Sequence, residues 1–403
     1  MSIRRLALSV FIPLSVLGCG PGAERGASTG GGTLKIGEYS SLTGATATFG
    51  QSTHLGLTLA LDEINAAGGI GGARVEVITE DTQGRATEAG TAVSKLVTQD
   101  QVIAVIGEVA SSNSLAGAPI CNEAAVPMIT PASTNPMVTT DKPFVFRVCF
   151  IDPFQGTVMA KFAVGSLKLT RVAVLRDAKS DYSLGLAEYF VKEFTAQGGT
   201  IVGNEAYTQG DVVFTAPLTN LIAKKPEAIF IPGYYTEVGL IARQARELGF
   251  EGALLGGDGW DSPKLTQIGG ASIEGCYFSN HYATDDPNPV VQGFIASAKA
   301  KTNEVPDAMA VLAYDATKVL AAALSTVATA NPTAFAALRT GSTADAAAKR
   351  AARTLVRDAI AATKGFPGVS GTITLDANRD ASKSAVVLKV ANGGYQFVER
   401  IEP

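Results

Sequence analysis

Histidine is nearly missing from this chain, which has only His54 and His281, and cysteine is scarce: Cys19, Cys121, Cys149 and Cys276, with no CxxC pair. A zinc site needs three or four clustered nitrogen, sulfur or carboxylate ligands. No such cluster exists locally, so neither a metal nor any other cofactor is expected. No GxSxG elbow, HExxH or Walker lysine occurs, and a serine–histidine–aspartate site would have to recruit one of the two histidines. A solvated or packed imidazole accounts for both, and no carboxylate pair is singled out by its surroundings. Enzymatic activity is therefore not expected. Charged residues make up 17% of the chain and its net charge is −4, with no basic run, so nucleic acid is not an expected partner.

What is present begins with an address. Arg4 and Arg5 precede the apolar run LALSVFIPLSVL, which ends in Gly18 and Cys19, the length and order of a secretory signal peptide. The run falls short of the roughly 20 residues a membrane span requires. Val16-Leu17-Gly18-Cys19 resembles the lipobox of bacterial lipoproteins. That resemblance implies a signal over 1–19, a lipid anchor on Cys19, and an exported, membrane-anchored protein facing the periplasm or cell exterior; an ordinary cleavage site is the alternative. Residues 20–33, GPGAERGASTGGGT, are small, polar and glycine-rich and read as a flexible tether. Export permits a disulfide, for which Cys121 and Cys149 are the candidate pair with Cys276 left free; three separate buried thiols fit the sequence equally well.

About 370 residues remain, enough for two domains, and a hydrophobic content of 46% allows each a core. From Leu34 the chain reads strand (LKIGEY), helix (roughly 51 to 67), glycine turn (GGIGG), strand (RVEVITED). The same order returns in RVAVLRD, the helix LAEYFVKEFTAQ, Gly198-Gly199 and TIVGNEAY. Both helices carry one apolar stripe, and β-branched strands alternating with such helices imply parallel sheets covered on both faces. A helical stretch over 306–364, broken at NPTAF, and a closing pair of strands, GTITLD and AVVLKV, end the chain. GGIGG follows a helix and precedes a strand, the reverse of a phosphate loop, so it reads as a helix C-cap and turn.

Polar loops at strand ends are the candidate site, because open α/β sheets bind ligands beyond the carboxyl ends of their strands. In GEVASSNSL, Ser111 or Ser112 is a natural N-cap. The free N–H groups there either serve the helix alone or also hold an anion. The loop Thr130-Pro-Ala-Ser-Thr134, containing Ala132 and Ser133, should open on the same edge, either as an ordinary turn or as a partner for ammonium and carboxylate. Asp258 in GGDGW is a plausible counter-charge for an ammonium. Tyr182 and Tyr234 follow strands of the second unit and offer aromatic walls with polar tips.

At these residues the sequence resembles the branched-chain amino-acid (leucine/isoleucine/valine) substrate-binding proteins of bacterial ABC transporters, through INAAGGIGG, IGEVASSNS, VPMITPASTNP, IPGYY, LIARQARELG and AYDATKVL, and over essentially everything from Leu34 onward. The resemblance implies a type I periplasmic-binding fold: two doubly wound parallel-sheet lobes, 34–150 plus 280–373 and 151–279 plus 374–403, joined by a three-crossover hinge. It implies an amino acid as ligand and an ABC permease in the inner membrane as partner. Ser111 and Thr134 would hold the α-carboxylate, Ala132 (by its carbonyl) and Asp258 the α-ammonium, and Tyr182 and Tyr234 would close over the ligand. Phe49 and Met309 would line the side-chain pocket.

Three departures bear on that carry-over. Asp258 stands where glutamate is usual, Thr82 and Ala110 replace a first-lobe disulfide, and Trp260 lies where it would shrink the pocket or cover its mouth. The rival readings are a binder of an amide, urea or aromatic acid, a ligand-sensing module, and an exported hydrolase.

Overall fold

The computed structural model describes residues 32–403; Cys19, the 1–19 signal and most of the 20–33 tether lie outside them. The chain opens with β1 (Leu34–Ser40), α1 (Ala47–Ala66), β2 (Val75–Asp81), α2 (Ala86–Thr98), β3 (Ala104–Ile106), α3 (Ser111–Glu123), β4 (Met128–Thr130) and β5 (Val145–Arg147). These strands form an all-parallel sheet in the order β2-β1-β3-β4-β5. Strands β3, β4 and β5 are buried on both faces, as parallel strands under helices must be. Gly68, Gly69, Gly71 and Gly72 all have positive φ after α1, and the Gly69 N–H returns to Ile64 O (2.9 Å), so GGIGG closes the helix and turns the chain.

The chain then crosses to a second sheet through α4 (Asp152–Lys161), β6 (Arg171–Asp177), α5 (Asp181–Ala196), β7 (Thr200–Tyr207), α6 (Thr215–Ile222), β8 (Ala228–Phe230), α7 (Tyr235–Glu247), β9 (Ala253–Gly256), α8 (Pro263–Gly269) and β10 (Tyr277–Asn280). It crosses back for α9 (Pro289–Thr302), α10 (Ala308–Ala330), α11 (Pro332–Ala337) and α12 (Ala346–Ala361), with α9 and α10 packed on α1. The short ribbon β11 (Phe366–Gly368) and β12 (Gly371–Ile373) precedes a third crossing into β13 (Ala385–Ala391) and β14 (Gly394–Ile401). The second sheet runs β14-β13-β10-β9-β8-β6-β7. Residues 32–403 form one compact unit.

Helix starts follow side-chain chemistry. Ser180, Asp307 and Asp345 each accept from the backbone N–H three residues on, capping α5, α10 and α12. α10 is long and apolar enough to cross a membrane, yet most of it is buried in the fold, which makes it a core helix. It meets α1 at Gly56, where an added Cβ would lie 1.9 Å from Ala310 O. Gly56→Ala is expected to force the two helices apart and cost about 1–3 kcal/mol, read as a lower denaturant midpoint.

The structure corrects four sequence readings. GTITLD and AVVLKV are not the last strands of the chain: β12 pairs with β11, while β13 lies between β10 and a further strand, β14, which is half-exposed and has no apolar alternation to announce it. α9 was also missed, lying before the helical stretch read from 306. Ser111 and Ser112 do not cap α3; its N-cap is Ala110, and Ser111 is already helical.

The Cys121–Cys149 bridge is not formed, and all three described cysteines are free and buried. Cys121 belongs to the cluster of Tyr39, Val93, Val105 and Val145, whereas Cys149 belongs to that of Ile106, Ile129 and Phe146. Alternate residues of β3 and β5 divide between these clusters, so the two thiols serve opposite faces of one sheet. Burial raises both, pushing Cys149 up to about 12, which suits thiols acting as small hydrophobes.

Candidate functional site

Strands β3 and β4 of the first sheet and β6, β8 and β9 of the second end toward one cleft. The first wall is the loop into α3. Its shape rests on Glu108, a buried carboxylate that accepts from Ser41 Oγ (2.7 Å), Thr82 Oγ1 (2.8 Å), Asn113 Nδ2 (3.0 Å) and Ala110 N (2.6 Å). Thr82 and Ala110 thus join their two loops through one carboxylate instead of a disulfide. Beside it, Ser111 Oγ accepts from Asn135 N (3.3 Å), tying α3 to the loop after β4.

In that second loop Ala132 and Thr134 are buried, and Thr134 Oγ1 has no partner in the protein. Ser133 was read as a ligand group, but its hydroxyl is committed elsewhere: it donates to the carbonyls of Glu108 (2.9 Å) and Val109 (3.0 Å) and meets Ser114 Oγ (2.6 Å). It braces the two loops against each other. Arg147, fully buried at the end of β5, holds the loop from below, donating to Ser133 O (2.6 Å), Asn135 O (2.9 Å) and Asp380 Oδ1 (2.6 Å).

The opposite wall centres on Asp258, in the helical turn after β9. Its Oδ1 accepts from Gln155 Nε2 (2.8 Å), and its Oδ2 lies 3.0 Å from His281 Nε2. His281 is buried and stacked on Phe150 at 3.8 Å, and burial pulls its imidazole below the ordinary value, against Asp258. A neutral ring with its proton on Nε2 therefore donates to Asp258 Oδ2. Tyr182 accepts from Gly259 N (3.2 Å) and stacks on Tyr234 with ring centres 5.3 Å apart. Phe49, from α1, meets Tyr234 and Tyr235 edge-on at 5.7 and 4.9 Å, and Met309 is buried at the start of α10.

Trp260 neither narrows the pocket nor covers its mouth. Its indole lies over Gly256, where the missing side chain leaves room, packs toward Phe278 and donates to Ile231 O (2.9 Å). It is core of the second lobe.

The lobes meet along both rims. On one, Ser112 Oγ donates to Asp181 Oδ2 (2.7 Å) and Asn135 Nδ2 to Asp181 O (2.9 Å). On the other, Thr48 N donates to Tyr235 Oη (3.2 Å) and Thr236 Oγ1 to Ala45 O (2.7 Å), while Asp261 Oδ2 accepts from Ala308 N (2.7 Å). Between the rims, Thr134 Oγ1, both oxygens of Asp152, Gln155 Oε1 and His281 Nδ1 are buried without a protein partner. Buried polar groups are normally satisfied. This set of acceptors below a helix N-terminus suits a small molecule carrying both an ammonium and a carboxylate.

Residues 33–395 match the profile of the periplasmic binding protein family. The chain belongs to that family. It is 33% identical over 317 residues to the Leu/Ile/Val-binding protein homolog 3 of Brucella melitensis, covering 78% of this chain and 81% of that one. A solved leucine-binding protein LivK from Thermotoga maritima is 40% identical, with a TM-score of 0.83 over 92% of this chain and 99% of that one. LivJ of Streptococcus pneumoniae, solved with isoleucine, is 32% identical, with a TM-score of 0.82 over 92% of this chain and 100% of the other.

Within this periplasmic binding protein, sequence reasoning did not single out Asp152 and Gln155, which border the cleft, and put His281 down to solvation or packing. Asp152 and His281 lie where the chain crosses between sheets. Asp152 N donates to Thr134 O (2.9 Å), so the first turn of α4 reaches back to the first lobe. A polar residue beside the predicted crossovers at 150/151 and 279/280 was the signal available.

Proposed function

We propose that this protein captures a branched-chain or other apolar α-amino acid between its lobes and delivers it to an ABC permease in the inner membrane, acting by binding and not by catalysis. The observation that carries the reading is the opposition of Asp258, fixed by Gln155 and His281, to the Ser111 and Thr134 loops across a buried cleft. Ser111 and Thr134 hold the α-carboxylate, and Ala132 O with Asp258 the α-ammonium. Tyr182 and Tyr234 cover the ligand, while Phe49 and Met309 face its side chain. Both charged ends then leave water with partners already in place. Apolar contacts discriminate by modest steps, about 1–3 kcal/mol per methylene.

The moving bodies are 34–150 plus 280–373 and 151–279 plus 374–403, hinged at three crossovers, with the rim contacts made on closure. The amino-terminal signal and Cys19 export the chain and anchor it facing the periplasm or cell exterior. The names of the Brucella, Thermotoga and Streptococcus relatives support this reading.

A thermal-shift screen of residues 32–403 against the twenty amino acids, their amides, urea and aromatic acids tests it. A ligand that binds only the folded state stabilises it by about 2.7 kcal/mol at a hundredfold excess over the dissociation constant. A raised melting temperature with leucine, isoleucine or valine is expected. No shift with any α-amino acid would overturn the reading.

A further inference from the structure

Asp152 is the buried ionisable group that the assignment above leaves unused. It is fully buried at the first turn of α4, and neither carboxyl oxygen has a well-aligned hydrogen bond within the protein, the Thr134 hydroxyl being its polar neighbour. Its neighbourhood is the ligand cleft: its backbone bonds to Thr134, Gln155 one turn later holds Asp258, and a side chain on Gly185 of α5 would lie 3.5 Å from Asp152 Oδ2. The titratable and charged groups facing it are Asp258 of the second lobe and, behind it, His281 at the crossover between the lobes, Arg147 of β5, Tyr182 and Tyr189 of α5, and Tyr234. The one permanent cation among them, Arg147, spends its donors on Asp380, Ser133, Asn135 and Thr139.

We infer that Asp152 is a second carboxylate for the ligand's ammonium, and that it gives up a proton to solvent when the amino acid binds. This rests on the amino-acid reading above. An ammonium brings three N–H donors, while both Asp258 oxygens already accept from the protein. Asp152 Oδ1 and Oδ2 and Gln155 Oε1 supply the missing acceptors.

The charge balance explains the proton. Without a cation, burial pushes the Asp152 carboxyl up to about 8 against the opposing pull of the Thr134 hydroxyl, with the charge of Asp258 adding to the rise, so it is protonated at neutral pH. An ammonium beside it favours the ionised form; the carboxyl O–H breaks, the proton leaves for solvent, and the ligand keeps all three of its own. The sign follows by linkage. Between the lower pKa of the complex and about 8 in the free protein, the complex holds fewer protons, so affinity rises with pH and falls as pH drops below about 8.

The test is calorimetric titration of residues 32–403 with L-leucine at pH 6, 7 and 8 in phosphate and, at pH 7 and 8, also in Tris, whose ionisation enthalpy differs. Release of close to one proton per leucine at pH 7 is expected, with a dissociation constant up to about tenfold higher at pH 6 than at pH 7. Asp152→Asn should lose most of the proton release and the pH dependence, binding at every pH about as weakly as the unaltered protein does in acid. Asp261 and Asp307, which burial also raises, stay in place in that variant and account for any small remainder. Leucine binding without proton release in the unaltered protein, or full release in Asp152→Asn, overturns this inference alone. Absence of binding at every pH overturns the amino-acid reading with it.

Discussion

Asp258→Ala is expected to weaken amino-acid binding by at least about 30-fold while leaving a folded protein. Removing one partner of a buried, hydrogen-bonded charge pair costs about 2–5 kcal/mol, because the other charge stays buried and unmatched. That is a loss of roughly 30-fold to several thousandfold in affinity. Here the truncation also strips Gln155 Nε2 and His281 Nε2 of their acceptor, so the wall loses its order as well as its charge. Asp258→Glu should retain binding, since it keeps the charge and lengthens the arm by one methylene. Calorimetry with leucine reads the affinities, and circular dichroism checks the fold. Near-unchanged binding by Asp258→Ala would place the ammonium elsewhere.

Asp380→Ala should produce the largest loss of stability, about 3–5 kcal/mol, as expected when a buried ion pair is broken from one side. Arg147 is fully buried, and Asp380 is its carboxylate partner, at 2.6 Å. The pair ties the third crossover to β5, where Arg147 N also donates to Arg379 O (3.2 Å). Because Arg147 also carries the carbonyls of Ser133 and Asn135, the variant should bind ligand more weakly too. Equilibrium denaturation measures the stability. A companion replacement of both partners by Met and Leu should recover part of it: no unpaired charge then remains, but the carbonyls of Ser133 and Asn135 lose their donor.

The two predictions draw on different kinds of information in the sequence. Asp258 could be singled out because it ends a strand between glycines, in a motif with family likeness. The strands themselves were readable as short β-branched runs, and β6 and β7 coincide with RVAVLRD and TIVGNEAY. The Arg147–Asp380 pair spans 233 residues and has no local signature. Asp152 reads in sequence as an ordinary acid in the first turn of a helix. What makes it unusual is burial without a partner, a property of three-dimensional packing. Likewise Trp260 and Ser133 sit beside the proposed binding positions in sequence, but a helical turn and a loop reversal aim them away from the cleft.

The most direct test of the account compares leucine with two analogues that each lack one charged end, isoamylamine without the carboxylate and 4-methylpentanoic acid without the ammonium, titrated into residues 32–403. If both ends are held by buried partners, leucine binds and each analogue is weaker by at least a hundredfold. An analogue that binds as tightly as leucine would show that one of the two end sites does not exist, and would contradict the assignment of this cleft to an α-amino acid.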